Sequence, residues 1–193
     1  MHAAAPFLRW WRPAALLLAL LCGLPSPAFA QAHEVPTPPR ESAVKAAFLY
    51  KFGAFVEWPP GTFQGPAEPL VIGVLEHPAV LRELEQITTQ RTVEGRPLRV
   101  RGLRYGDSIK AIHVLFVGTL RPMRLRELLA GVSGPVLVVT QQPGALEAGS
   151  VINFTDEEER VRFAVSQASA EARRLRLSAR LLAVAQSVEG RIR

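Results

Sequence analysis

The chain has 193 residues, with 23 Lys and Arg against 17 Asp and Glu and a formal net charge of +6. No basic stripe is interleaved with stacking aromatics, which argues against a nucleic-acid partner. Its one cysteine, Cys22, lies in an N-terminal apolar run, so the rest of the chain has no disulfide, thiol switch or thiolate ligand and must be held by packing.

Arg9 and Arg12, the apolar residues 14–24 and the small-x-small triplet Ala28-Phe29-Ala30 make the three parts of a cleavable export signal. The apolar run is shorter than the roughly 20 residues of a membrane span. Leu21 occupies the position before Cys22 where a lipoprotein needs a small residue. A soluble exported chain beginning at Gln31 is therefore expected. Residues 31–40, with Pro36, Pro38 and Pro39, read as a flexible lead-in. One domain is expected over residues 41–190.

Val44, Ala47, Phe48, Phe52, Phe55 and Val56 recur at three- and four-residue steps, which predicts a helix with one apolar face and places Glu41, Lys45 and Lys51 elsewhere. Trp58-Pro59-Pro60 should stop it near Val56 or Glu57, because proline lacks a donor and disfavours helix before it. After a Gly/Pro loop at 61–69, a strand is predicted at 70–75 and a helix opened by Pro78 at 78–88. Strands follow at 98–103, after the Glu94-Gly95 turn, and at 112–117; a helix at 122–130 ends at Gly131. A strand at 135–140 and a single helical turn at 143–147, closed near Gly149, come next. Strands 151–154 and 160–165 face each other across the acidic turn 156–159, and 167–174 and 177–188 read as helical. The continuous apolar runs around Val114 and Val138 suit strands covered on both sides. The fold class is α/β: a single-domain, open, mostly parallel twisted sheet flanked by helices, with an antiparallel edge hairpin.

On such a sheet ligands are met at the carboxyl ends of strands, here Glu76 and His77, Gly118 and Thr119, Gln141 and Gln142. His77 beside a helix N-terminus suits an anion, although a lone loop histidine is ordinarily solvated. His113 lies in an apolar strand and reads as a hydrogen-bonded structural residue; His33 belongs to the lead-in. Ser133 precedes a strand, whereas a hydrolase nucleophile follows one. Phosphate-cradling glycines and metal-ligand spacing are both missing, so no catalytic residue, cofactor or metal is assigned. The acidic residues 156–159 read as a solvated turn rather than a cation site. Tyr50, Phe52, Phe55 and Trp58 read as helix packing, with Trp58 placed to line a pocket or partner surface.

The string Val44-Lys45-Ala46-Ala47-Phe48-Leu49-Tyr50-Lys51-Phe52, followed by Phe55-Val56-Glu57-Trp58-Pro59, resembles the opening motif of the YfiR-like family of periplasmic proteins. Val93-Glu94-Gly95-Arg96-Pro97-Leu98, His113 to Val117, Gly149 to Phe154, Arg160-Val161-Arg162-Phe163 and Leu177 to Leu182 resemble later blocks in the same order. The resemblance implies a periplasmic α/β domain, often dimeric, without catalysis. It also implies repression of an inner-membrane diguanylate cyclase through its periplasmic sensor portion, relieved by an outer-membrane lipoprotein, with cyclic-di-GMP synthesis and biofilm as outputs. A sensor kinase is an alternative partner. Cysteines that give some relatives redox control have no counterpart here. The expected partner surface is the hairpin, with Ile152, Asn153, Phe154, Arg160, Arg162 and Phe163, and then Tyr50 with Trp58. The rival expectation is a periplasmic small-molecule binder with its ligand near Glu76, His77 and Thr119.

Overall fold

The computed structural model describes residues 40–89, 91–157 and 160–190; the expected export signal, the expected lead-in up to residue 39 and His33 lie outside them. The first helix, α1 (Glu41–Phe52), ends at Gly53, a turn earlier than the prolines predict. Tertiary pairing takes the next residues. The short strand β1 (Val56–Glu57) pairs antiparallel with β9 (Arg176–Leu177), and the Phe55 carbonyl accepts from the Ser178 N–H.

The alternation predicted downstream is present: β2 (Leu70–Leu75), α2 (Pro78–Thr88), β3 (Thr92–Val93), β4 (Arg96–Leu103), β5 (Val114–Val117), α3 (Pro122–Gly131) and β6 (Leu137–Thr140). Glu94 and Gly95, at φ 50° and 73°, make the tight β3–β4 turn, since two-residue hairpin loops favour positive φ at both central residues. The chain continues as β7 (Ile152–Glu157), β8 (Arg160–Ser166), α4 (Gln167–Ala172), β9, α5 (Ala179–Val184) and β10 (Ser187–Glu189). The predicted helix over 177–188 is thus divided. Leu177 pairs with Val56, Ser178 caps α5 by accepting from the Leu181 N–H, and residues 187–189 join the main sheet.

That sheet has the order β10-β8-β7-β6-β5-β2-β4-β3. Strands β4, β2, β5, β6 and β7 run parallel in it, while β7 and β8 form the expected antiparallel hairpin. The hairpin is not at the edge, however: β10 pairs with Ala164, Val165 and Ser166 on its outer side. Alternate strand residues divide two cores, as the two-residue period of a strand requires. Ile72, Val74, Val114, Phe116, Leu137 and Val139 meet α1 and α2 on one face; Leu75, Leu115, Val117 and Val138 meet α3 on the other. Strand β2 neighbours β4 on one side and β5 on the other, so the sheet changes winding direction between β2 and β5.

Candidate functional site

Because β2, β5 and β6 are parallel and in register, the residues that follow them gather at one end of the sheet. His77 caps α2 there. Its Nδ1 accepts from the Val80 N–H at 3.3 Å and its ring lies 5.5 Å from that of Phe116. Burial and then the nearby Lys45 charge push its pKa below the ordinary histidine value. Thr119 Oγ1 accepts from Gln141 Nε2 at 3.4 Å. Glu76 turns away: its carboxylate accepts from the Tyr105 N–H at 3.0 Å, and its own backbone sits at φ 54°. Positive φ is unusual for a residue with a side chain. Its carbonyl lies so near Gly118 that a Cβ there would stand 2.5 Å from the oxygen. Of the three residues expected around a ligand, His77 and Thr119 share this end and Glu76 faces the β4 side.

The residue that sequence periodicity misplaced is Lys45. It is 3% exposed, on the buried face of α1 with Ala46, Leu49 and Phe52. Its Nζ donates to Glu41 Oε1 and, at 3.0 Å, to Gln141 Oε1, and lies 5.9 Å from the centre of the Phe154 ring. Lys45 stands three residues before Phe48 and seven before Phe52, the spacing of one helical stripe. That spacing was the signal for it.

At the hairpin the structure corrects the expected surface. Ile152, Phe154 and Phe163 are core residues, and Phe154 and Phe163 pair directly across the strands. The Phe48 and Phe52 rings pack on them at 5.1 to 6.1 Å between centres. Asn153 is also buried: its Oδ1 accepts from Thr140 Oγ1 at 2.7 Å and from the Gln142 N–H at 3.1 Å, tying β7 to the end of β6. Such apolar anchors are unavailable to a partner while the domain is folded. Arg160 and Arg162 are exposed near the tip, with Arg162 opposite Thr155. Thr155 Oγ1 in turn donates to Gln186 Oε1 at 2.7 Å. In the acidic turn, Glu158 and Glu159 lie outside the described residues.

Tyr50 and Trp58 are half-buried by their own contacts. The Tyr50 hydroxyl donates to the Thr92 carbonyl at 3.2 Å, under Arg91. Trp58 lies 6.0 Å from both Phe63 and His113, and Phe63 stacks on His113 at 4.6 Å. The Trp58 Nε1 is buried without an acceptor. His113 Nδ1 accepts from the Val71 N–H at 3.1 Å, the structural role its sequence context predicts, and burial lowers its pKa. A groove of about 540 Å³ passes His113, Asp107, Lys110 and Ser133 at the amino ends of β5 and β6, the end of the sheet opposite His77. Among the described residues no three His, Cys, Asp or Glu gather as a metal site. Nor is any helix among them long and apolar enough to cross a membrane.

A family profile described as YfiR/HmsC-like matches residues 42–186. No curated protein matches the chain.

Proposed function

The chain belongs to the YfiR/HmsC-like family, and from that premise we propose that it is a periplasmic, non-enzymatic regulator. It binds the sensor portion of an inner-membrane signalling protein, represses a diguanylate cyclase and so lowers cyclic-di-GMP synthesis. The observation that carries this reading is the extent of the match, which runs from the start of α1 to just before β10 and takes in both cores. An outer-membrane lipoprotein that sequesters the domain, and a homodimer, fit the same reading.

The partner surface we assign is the exposed end of the β7–β8 hairpin, centred on Arg160 and Arg162, because these arginines are exposed while Val161, Phe163 and Val165, which alternate with them along β8, face the aromatic core. Rim charges of this kind steer association and set partner choice. Arg160→Glu/Arg162→Glu should weaken capture of the membrane partner in a crosslinking pull-down from periplasm and membranes. Undiminished capture by the double variant would remove the hairpin from the proposal. Recovery of the wild-type domain without any inner-membrane cyclase or kinase would remove the regulator reading itself.

A further inference from the structure

We propose that the polar cluster at the carboxyl ends of β2, β5 and β6 binds a small carboxylate on the Lys45 ammonium, in competition with Glu41. The inference goes beyond the regulator reading and does not rest on the hairpin surface.

Lys45 is the observation that carries it. A buried ammonium is costly unless it is paired and its donors are satisfied. Of its three donors, one goes to Glu41 and one to Gln141, while the Phe154 ring supplies only a weak third neighbour. Its charged partner is largely exposed to solvent. The Lys45 side chain is 4% exposed but that of Glu41 is 58% exposed, on the first turn of α1. A change of Glu41 rotamer would open the ammonium toward the rim without moving the backbone.

What lies around the ammonium suits an oxyanion. The Gln141 amide and the Thr119 hydroxyl sit together at the ends of β6 and β5 and can donate to a second oxygen once their mutual contact is released. His77, the N-cap of α2, stands at the same end of the sheet with its ring against Phe116. His77 and Thr119 flank the point where the sheet reverses its winding, the usual ligand position on an open α/β sheet, and Lys45 with Gln141 lies one strand beyond it. One cation balances one negative charge, and Glu41 shows that a carboxylate is accepted there. The depth of the Nζ admits a small molecule rather than a folded surface.

The test uses the mature protein and sodium lactate, with sodium chloride at equal ionic strength as the control, followed by NMR of the Gln141 side-chain amide and the Thr119 N–H. The expected result is a saturable shift with lactate and not with chloride, at an affinity on the order of millimolar. Glu41→Gln removes the competitor and should tighten binding about twofold or more. Lys45→Met should abolish it; Lys45→Gln serves the same purpose if the methionine variant does not fold. Unaltered lactate binding in the lysine variant would overturn the proposal, as would no saturable shift in Glu41→Gln up to about 50 mM lactate. If lactate fails while Glu41→Gln strengthens partner capture, the ammonium serves a protein carboxylate instead, and the small-molecule proposal is lost while the regulator reading stands.

Discussion

Lys45 shows how one side chain can sit in a core and still be replaceable. Its stem packs among Ala46, Leu49 and Phe52 while its charge is met at the rim by Glu41 and Gln141. Exchanging a buried ion pair for an apolar side chain of similar volume is often neutral or stabilising. Because Glu41 is 58% exposed and stays solvated once the lysine is gone, Lys45→Met should unfold in urea within about 1 kcal/mol of wild type, and Glu41→Gln, which keeps an amide oxygen for the ammonium, should lose about 0.5 kcal/mol. His113 gives a pH dependence. Burial holds its folded-state pKa below 6.5, with Arg96 acting in the same direction and Glu68 and the Thr62 backbone opposing. A depressed pKa means that the unfolded chain takes up the proton first, so the stability this histidine contributes is complete above 6.5 and is lost as the pH falls toward the folded value. His77, lowered by burial and Lys45 against Glu41, acts in the same sense. Urea midpoints at about pH 7.5 and pH 5 should fall further for wild type than for His113→Asn, which keeps an acceptor for the Val71 N–H, by about 1.4 kcal/mol per unit of pKa displacement. Equal losses in the two proteins would show that another group controls the acid sensitivity.

At the scale of elements, the strand ends are set by close backbone approach. Gly118 N–H donates to the Leu75 carbonyl at 2.8 Å, and the Glu76 oxygen fills the place a Cβ would take. Gly118→Ala should then separate β2 from β5 at their carboxyl ends and cost about 1–3 kcal/mol in urea unfolding, since the obstacle is backbone that no rotamer change relieves. A cost near zero would mean that the two strand ends slide apart freely. Helix α2 was legible to the residue because its signals are local: Pro78 suits the first helical position, and its length fits the apolar repeat. The end of α1 was not. Phe55 and Val56 continue an acceptable helical pattern, and what removes them from the helix is β9, more than a hundred residues later in the chain. The division of residues 177–188 has the same cause, with pairing to β1 and β8 outweighing a helical pattern too weak to bury more than Leu181.

For the whole molecule, the two cores separate stability from the expected binding surface. Phe163 meets Phe48, Phe52 and Phe154, so Phe163→Ala should cost about 3–5 kcal/mol. Arg160→Glu/Arg162→Glu lies outside that cluster and should shift stability by no more than about 0.5 kcal/mol while reducing partner capture. A large loss of stability in the arginine variant would show that the tip contributes to the fold and would deprive the pull-down of its meaning. The layer class, the mostly parallel direction of the strands, the antiparallel hairpin and the family were legible in the chain alone, because apolar period, helix-start residues and short motifs act over a few neighbouring positions. Which residues of those motifs face outward was settled by packing across the fold, as was the order of the strands. Ile152, Phe154 and Phe163 became core because the aromatic face of α1 packs on that cluster, Asn153 became a bracket because Thr140 and Gln142 meet its side chain, and Lys45 became buried because Glu41, Gln141 and Phe154 surround its ammonium. Those contacts join positions far apart in the chain, and burial of a side chain is fixed by what packs against it rather than by its place in a local pattern.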